Sequence, residues 1–175
     1  QLPKDSRRLV SDLGNLYVWD NIPEYMMRVL KNGTEIHEEK IIVGKTNTPT
    51  PIFSARMQYV IFHPEWGVPD SIKVKEILPY LRPSNDFGGF FGFGGGGTDT
   101  RVLKRHNLRV SYNGQPVDAS QIDWSQVDIR RYTFIQPSGG GNVLGVVKFR
   151  FPNKHDVYMH DTIERHLFGG AVRAF

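Results

Sequence analysis

Tyr25-Met26-Met27-Arg28-Val29-Leu30-Lys31-Asn32-Gly33-Thr34-Glu35-Ile36-His37-Glu38-Glu39-Lys40-Ile41-Ile42-Val43 is the stretch that decides the fold class. Two runs flank Asn32-Gly33, the pair that most readily takes positive φ at both centres of a type I′ turn, so the segment reads as a β-hairpin. The second arm starts wet. Glu35, His37 and Glu39 share one face opposite Ile36 and Glu38, and burial begins at Ile41-Ile42-Val43. Upstream, Leu16-Tyr17-Val18-Trp19 is a strand that Pro23 ends. Downstream, Gly44 to Pro51 is a loop stiffened by Pro49 and Pro51.

Short strands and turns continue along the chain. Met57 to Phe62 is nearly all apolar and reads as a central strand. Asp70 or Ser71 caps a helix from Ile72 to Leu78, closed by Pro79. Leu108 to Tyr112, Asn113-Gly114 and Pro116-Val117 form a second hairpin, and residues 122–128 a short turn or helix. Val143 to Phe151 is a strand, Pro152-Asn153 a turn and Asp156 to Asp161 a further strand. A helix then runs from Thr162 to Phe168, with Asp161 as cap, Glu164 completing a capping box and Gly169 as the stop. The expected class is therefore mainly β with short helices (α+β).

With 175 residues, the chain has room for one domain or for a domain carrying a sub-domain. Residues 1–14 are polar and read as a linker or the tail of an upstream segment. Residues 83–134 read as an insertion, a flap, because Phe87 to Gly97 is dominated by glycine and phenylalanine. A net charge of +4 suits an acidic polymer as partner, but the basic residues are scattered rather than striped, which argues against duplex DNA. No arginine is interleaved between Gly88 and Gly97, unlike the aromatic–glycine tails that bind RNA. No apolar run approaches the roughly 20 residues of a membrane span. The chain has no cysteine, so disulfides, zinc–thiolate sites and a cysteine nucleophile are excluded within these residues.

Chemistry concentrates in His155-Asp156, His160-Asp161 and His166. A metal-dependent hydrolase using His155, His160 and His166 is one reading. The odd separation of His155 and His160 opposes it, since on a strand they face opposite sides. The other reading makes His160 a general base, sharing its face with Tyr158 at a strand end that leads into a helix, where rigid elements hold it from both sides. His37, His63 and His106 stand alone and read as structural or surface residues.

Val157-Tyr158-Met159-His160-Asp161-Thr162, preceded by Phe151-Pro152-Asn153, resembles the first half of the signature of YkuD-type L,D-transpeptidases, a histidine followed after about fifteen residues by Ser-His-Gly-Cys. Other matches follow in order: Asn21-Ile22-Pro23, Val43-Gly44-Lys45, Thr48-Pro49-Thr50-Pro51, Trp66-Gly67-Val68-Pro69, Glu76-Ile77-Leu78-Pro79, Gln136-Pro137, Leu144-Gly145 and Lys148-Phe149. This ordered set over 15–175 is similar to the YcbB-like branch, which carries a capping sub-domain inserted in its catalytic domain. The resemblance implies a β-sandwich or barrel-like catalytic domain over 15–175, here incomplete, with the cap at 83–134.

It also implies a reaction. A cysteine thiolate attacks the third residue of a peptidoglycan stem tetrapeptide and expels the terminal D-Ala. The amine of a second stem then takes the acyl group in a 3→3 cross-link. His160 matches the family's base, with Asp161, Thr162 and Tyr158 in support, and Trp66, Tyr132 and Arg173 as substrate-binding residues. No cofactor is implied, the partners are stem peptides, and the location is the bacterial envelope or periplasm. Carbapenems are the expected inhibitors. The chain stops where Ser-His-Gly-Cys is expected, so this polypeptide is expected to be an inactive fragment of an active parent. A non-catalytic peptidoglycan-binding module is the alternative.

Overall fold

The computed structural model describes residues 13–82 and 98–175. The expected linker at 1–14 lies almost wholly outside the described residues, as do residues 83–97 of the expected insertion. Three antiparallel sheets and a few short helices make the chain mainly β. Two compact units are present: Gln1–Gln58, Phe151–Val157 and Glu164–Phe175 form one, and Tyr59–Arg150 with Tyr158–Ile163 form the other.

The first unit is a meander of β1 (Leu16–Asn21), β2 (Met26–Lys31) and β3 (Thr34–Lys40). Asn32 and Gly33 take φ of 51° and 78°, as the type I′ turn requires. All of β3 is exposed, and the chain becomes buried only at Val43. Arg28 on β2 gathers Glu24 (2.7 Å), Glu38 (2.9 Å) and Glu35 (3.4 Å) on the wet side. Val43 makes a parallel bridge with Ala174: its N–H donates to the Arg173 carbonyl, and the Phe175 N–H donates to the Val43 carbonyl, both at 2.9 Å.

The second unit holds two sheets, in the orders β10-β9-β4 and β5-β8-β6-β7. The first uses β4 (Tyr59–Phe62), β9 (Val147–Arg150) and β10 (Met159–His160). The second uses β5 (Trp66–Gly67), β6 (Arg109–Tyr112), β7 (Gln115–Pro116) and β8 (Tyr132–Gln136). Asn113 and Gly114 close the β6–β7 hairpin with φ of 48° and 79°, a second type I′ turn. Against this sheet pack α1 (Asp70–Ile72), a π-helical turn (Lys73–Ile77), α2 (Leu78–Leu81) and α3 (Arg101–Arg105). Val68, Ile77, Leu78, Leu81, Leu103, Val110, Ala119, Trp124, Ile129 and Phe134 make one buried cluster. Residues 98–134 therefore share a core with the helical turns before them.

Three expectations are corrected here. Met57 to Phe62 is not a central strand. β4 lies at the edge of its sheet, pairs with β9 and exposes all four residues, because an apolar run signals burial without fixing a strand's place in the sheet. Pro79 does not close the helix at Leu78. The Leu78 N–H bonds back to the Lys73 carbonyl in the π turn, and Pro79 then sits in the first turn of α2, where a missing N–H costs nothing. The helix expected over 162–168 is a 3-10 turn at Arg165–Gly169 with Glu164 at its N-cap, and Asp161 is engaged elsewhere.

Trp124 is fully buried, its Nε1 donates to the Ala119 carbonyl at 2.9 Å, and its ring packs on Tyr132 and Phe134. Trp124→Ala should destabilise the chain by about 3–5 kcal/mol. Trp124→Phe should cost about 1–3 kcal/mol, mainly through the stranded carbonyl. Urea unfolding followed by circular dichroism measures both, and a Trp124→Phe variant as stable as wild type would show that the hydrogen bond contributes nothing.

Candidate functional site

His160 is the last residue of the two-residue strand β10, and the register sets it opposite Lys148 of β9. Its Nδ1 donates to the carbonyl oxygen of Asp161, the next residue. A carbonyl can only accept, so the ring hydrogen sits on Nδ1 and Nε2 keeps its lone pair. Tyr158 shares the face, its ring centroid 5.7 Å from that of the imidazole, as period two predicts.

Asp161 is fixed at three points. Its N–H donates to the Val147 carbonyl (2.9 Å), its Oδ2 accepts from the Val146 N–H (3.0 Å), and its carbonyl holds the imidazole. The Val146 bond depends on the turn before it. Gly145 takes φ of 61°, and a Cβ there would run into the Asp161 carboxylate. That turn is held in turn by two buried amides. Asn142 donates to the carbonyls of Pro64, Gln136 and Pro137 (3.0, 3.2 and 3.0 Å) and accepts from the Leu144 N–H (2.8 Å). Gln136 donates to the carbonyls of His106 and Gly141 and accepts from the Val143 N–H. Every buried amide function is thus paired, so the turn has one well-defined conformation.

His160 is exposed as a residue, yet protein atoms crowd its ring, and this desolvation is the largest influence pushing its pKa below the usual 6.5. The Asp161 carbonyl opposes that effect, the Lys148 charge adds to it, and the Asp161 charge opposes it more weakly. The result is an imidazole that is neutral at neutral pH with a free acceptor nitrogen.

The remaining sequence-derived candidates have surroundings of their own. Thr162 follows Asp161 and is half-buried. Trp66 on β5 and Tyr132 on β8 pack against the Trp124 core, and the Tyr132 carbonyl accepts from buried Lys73 at 2.9 Å. Arg173 is buried in the first unit, its guanidinium donating to the carbonyls of Ile41 (3.2 Å), Gly170 (2.9 Å) and Tyr25 (2.8 Å), so its donors serve the fold. His155 packs on Phe53, and His166 lies 3.4 Å from Glu164. Among the described residues no three His, Cys, Asp or Glu are grouped to hold a metal, so the His155/His160/His166 hydrolase gains no support. Sequence reasoning missed Asn142, Gln136 and Lys148 as parts of this arrangement. The pairs Gln136-Pro137 and Lys148-Phe149 were visible as matches, but nothing local says what their side chains reach.

Comparison with known proteins shows the family. A protein of Haemophilus influenzae carrying the name "Putative L,D-transpeptidase" is 28% identical over 168 residues, which is 95% of this chain and 31% of that protein. The chain thus spans under a third of the length of the curated relative it matches. The sequence pattern of the YkuD family, described as the L,D-transpeptidase catalytic domain, matches residues 15–174. The chain belongs to the YkuD family of L,D-transpeptidase catalytic domains.

Proposed function

We propose that this chain supplies the general base of a peptidoglycan L,D-transpeptidase site, and that His160 is that base. The observation that carries the reading is the Nδ1 bond to the Asp161 carbonyl, which fixes the tautomer and leaves Nε2 open, in a chain that matches the family over 15–174. A thiol attacks well only as the thiolate, so the nucleophile needs such an acceptor beside it. The substrate is a stem tetrapeptide: the thiolate displaces the terminal D-Ala, His160 handles the proton, and the amine of a second stem collects the acyl group in a 3→3 cross-link. Asp161 and Tyr158 position the imidazole, and Thr162 belongs to the same support. The place of action is the bacterial envelope.

These residues contain no cysteine, so we propose that they do not catalyse the reaction on their own. The segment 83–134 we read as the inserted cap of the YcbB-like branch, which shields the acyl-enzyme from water. Its described part is packed into the Trp124 core, which favours a fixed wall over a hinged flap.

Four outcomes follow. The 175-residue chain exposed to a carbapenem should keep its mass, and a stable adduct would refute its proposed inactivity. In an intact family protein bearing this sequence together with Ser-His-Gly-Cys, His160→Gln should lower the acylation rate on the order of 10⁴-fold. Because the His160 pKa lies below the ordinary value, the base stays neutral further into acid. The acid limb of acylation should therefore fall below pH 6.5, and a limb at or above that value would contradict the assignment. Gly145→Ala places a methyl group against the Asp161 carboxylate at positive φ, and should cost on the order of 10²-fold in the same assay through a displaced imidazole.

A further inference from the structure

The face of the β10-β9-β4 sheet that carries His160 also carries an ammonium group. Lys148 is the register partner of His160, and side chains directly opposite on an antiparallel pair share a face with Cβ atoms about 4.5–5.5 Å apart. Its Nζ lies 3.5 Å from the centroid of the Tyr158 ring, close enough for a strong cation–π contact. The same Tyr158 ring packs on the imidazole at 5.7 Å. Lysine, aromatic ring and histidine thus form a three-member stack on one sheet face, two members from β10 or the residue before it and one from β9.

We propose that Lys148 is a positioning residue for His160: its ammonium, seated on Tyr158, fixes the ring that packs on the imidazole and sets a positive field across the strand pair. The inference rests on the reading of His160 as the base. Its consequence is electrostatic. A fixed cation disfavours imidazolium and so keeps the acceptor nitrogen free. The same cation favours an anion in that neighbourhood, which is the charge a thiolate or a tetrahedral oxyanion carries. The direction agrees with the Lys148 contribution to the lowered His160 pKa.

Other charged groups meet the imidazole less directly. Period two and the β4–β9 register place Arg150 of β9 and Tyr59 of β4 on the same face, one row further along. Asp161, on the histidine's own segment, has its carboxylate held by the Val146 N–H. Lys148 is therefore the cation opposite the ring.

The test is an NMR titration of the His160 ring in the 175-residue chain, with the resonance assigned by its loss in His160→Gln. Lys148→Met should move the midpoint upward and shift the ring protons as Tyr158 loosens, while Lys148→Arg, which keeps charge and stacking, should hold the midpoint near wild type. Tyr158→Leu should move the ring protons as well. If Lys148→Met fails to fold, the wild-type chain suffices: added salt screens the cation and should raise the midpoint. An unmoved midpoint in Lys148→Met, equal shifts in the Met and Arg variants, or a salt-independent wild-type midpoint would each overturn the proposal. The two readings fail separately. Upward movement in Lys148→Met together with full carbapenem acylation by His160→Gln in the intact protein would leave the lysine–histidine coupling standing and remove the base assignment.

Discussion

The absent side chain at Gly145 is the constraint on which the arrangement around His160 depends. The Asp161 carboxylate occupies the space where a Cβ would project and there accepts the Val146 N–H. With that carboxylate in place, the Asp161 N–H reaches the Val147 carbonyl and continues the β9–β10 pairing by one step. The Asp161 carbonyl is then presented to Nδ1 of His160. One residue thus uses its amide, its side chain and its carbonyl in sequence. β10 is only two residues long and could not hold an imidazole through ladder bonds alone.

The rigidity of that turn comes from further back. Asn142 and Gln136 are buried amides whose donors and acceptors are all paired within the stretch from Pro64 to Leu144. Gln136 ends β8, which also carries Phe134 into the Trp124 core. Packing of that core therefore reaches the imidazole through β8, the paired amides, the Gly145 turn and Asp161. A buried amide left half-satisfied is costly, so this route has few alternative geometries. That suits the base proposed for His160, which would be oriented before substrate arrives.

The hairpins and the strand end at His160 were legible in the sequence because each depends on local chemistry. Asn32-Gly33 and Asn113-Gly114 require positive φ and obtain it, and the alternation of Tyr158 with His160 survives in a strand far shorter than expected. What was illegible depends on distant partners. Asp161 reads as a helix cap from its neighbours Thr162 and Glu164, yet its carboxylate is drawn to Val146, fifteen residues upstream. Met57 to Phe62 reads as buried, but an apolar run carries no information about which strand lies beside it. The bonds from Arg173 to the carbonyls of Tyr25 and Ile41, more than 130 residues away, have no signal in its neighbours along the chain. Pro79 reads as a helix stop, yet it falls in the first turn of α2, after a π turn that the sequence does not announce.

On the proposed reading of His160 as a base, the chain holds that base in a neutral, oriented form, and the thiol it would deprotonate is not among these residues. A histidine with an ordinary pKa beside a thiol would divide the proton between the two and be partly protonated before reaction. Desolvation and the Lys148 charge shift that balance toward free imidazole, while the Asp161 carbonyl limits the shift by stabilising the Nδ1 hydrogen. The two influences act on different atoms. The carbonyl fixes where the ring hydrogen resides, and burial with the neighbouring cation decides whether a second proton stays on Nε2. Orientation and basicity can therefore vary independently: a change at Gly145 acts on the first, and a change at Lys148 acts chiefly on the second.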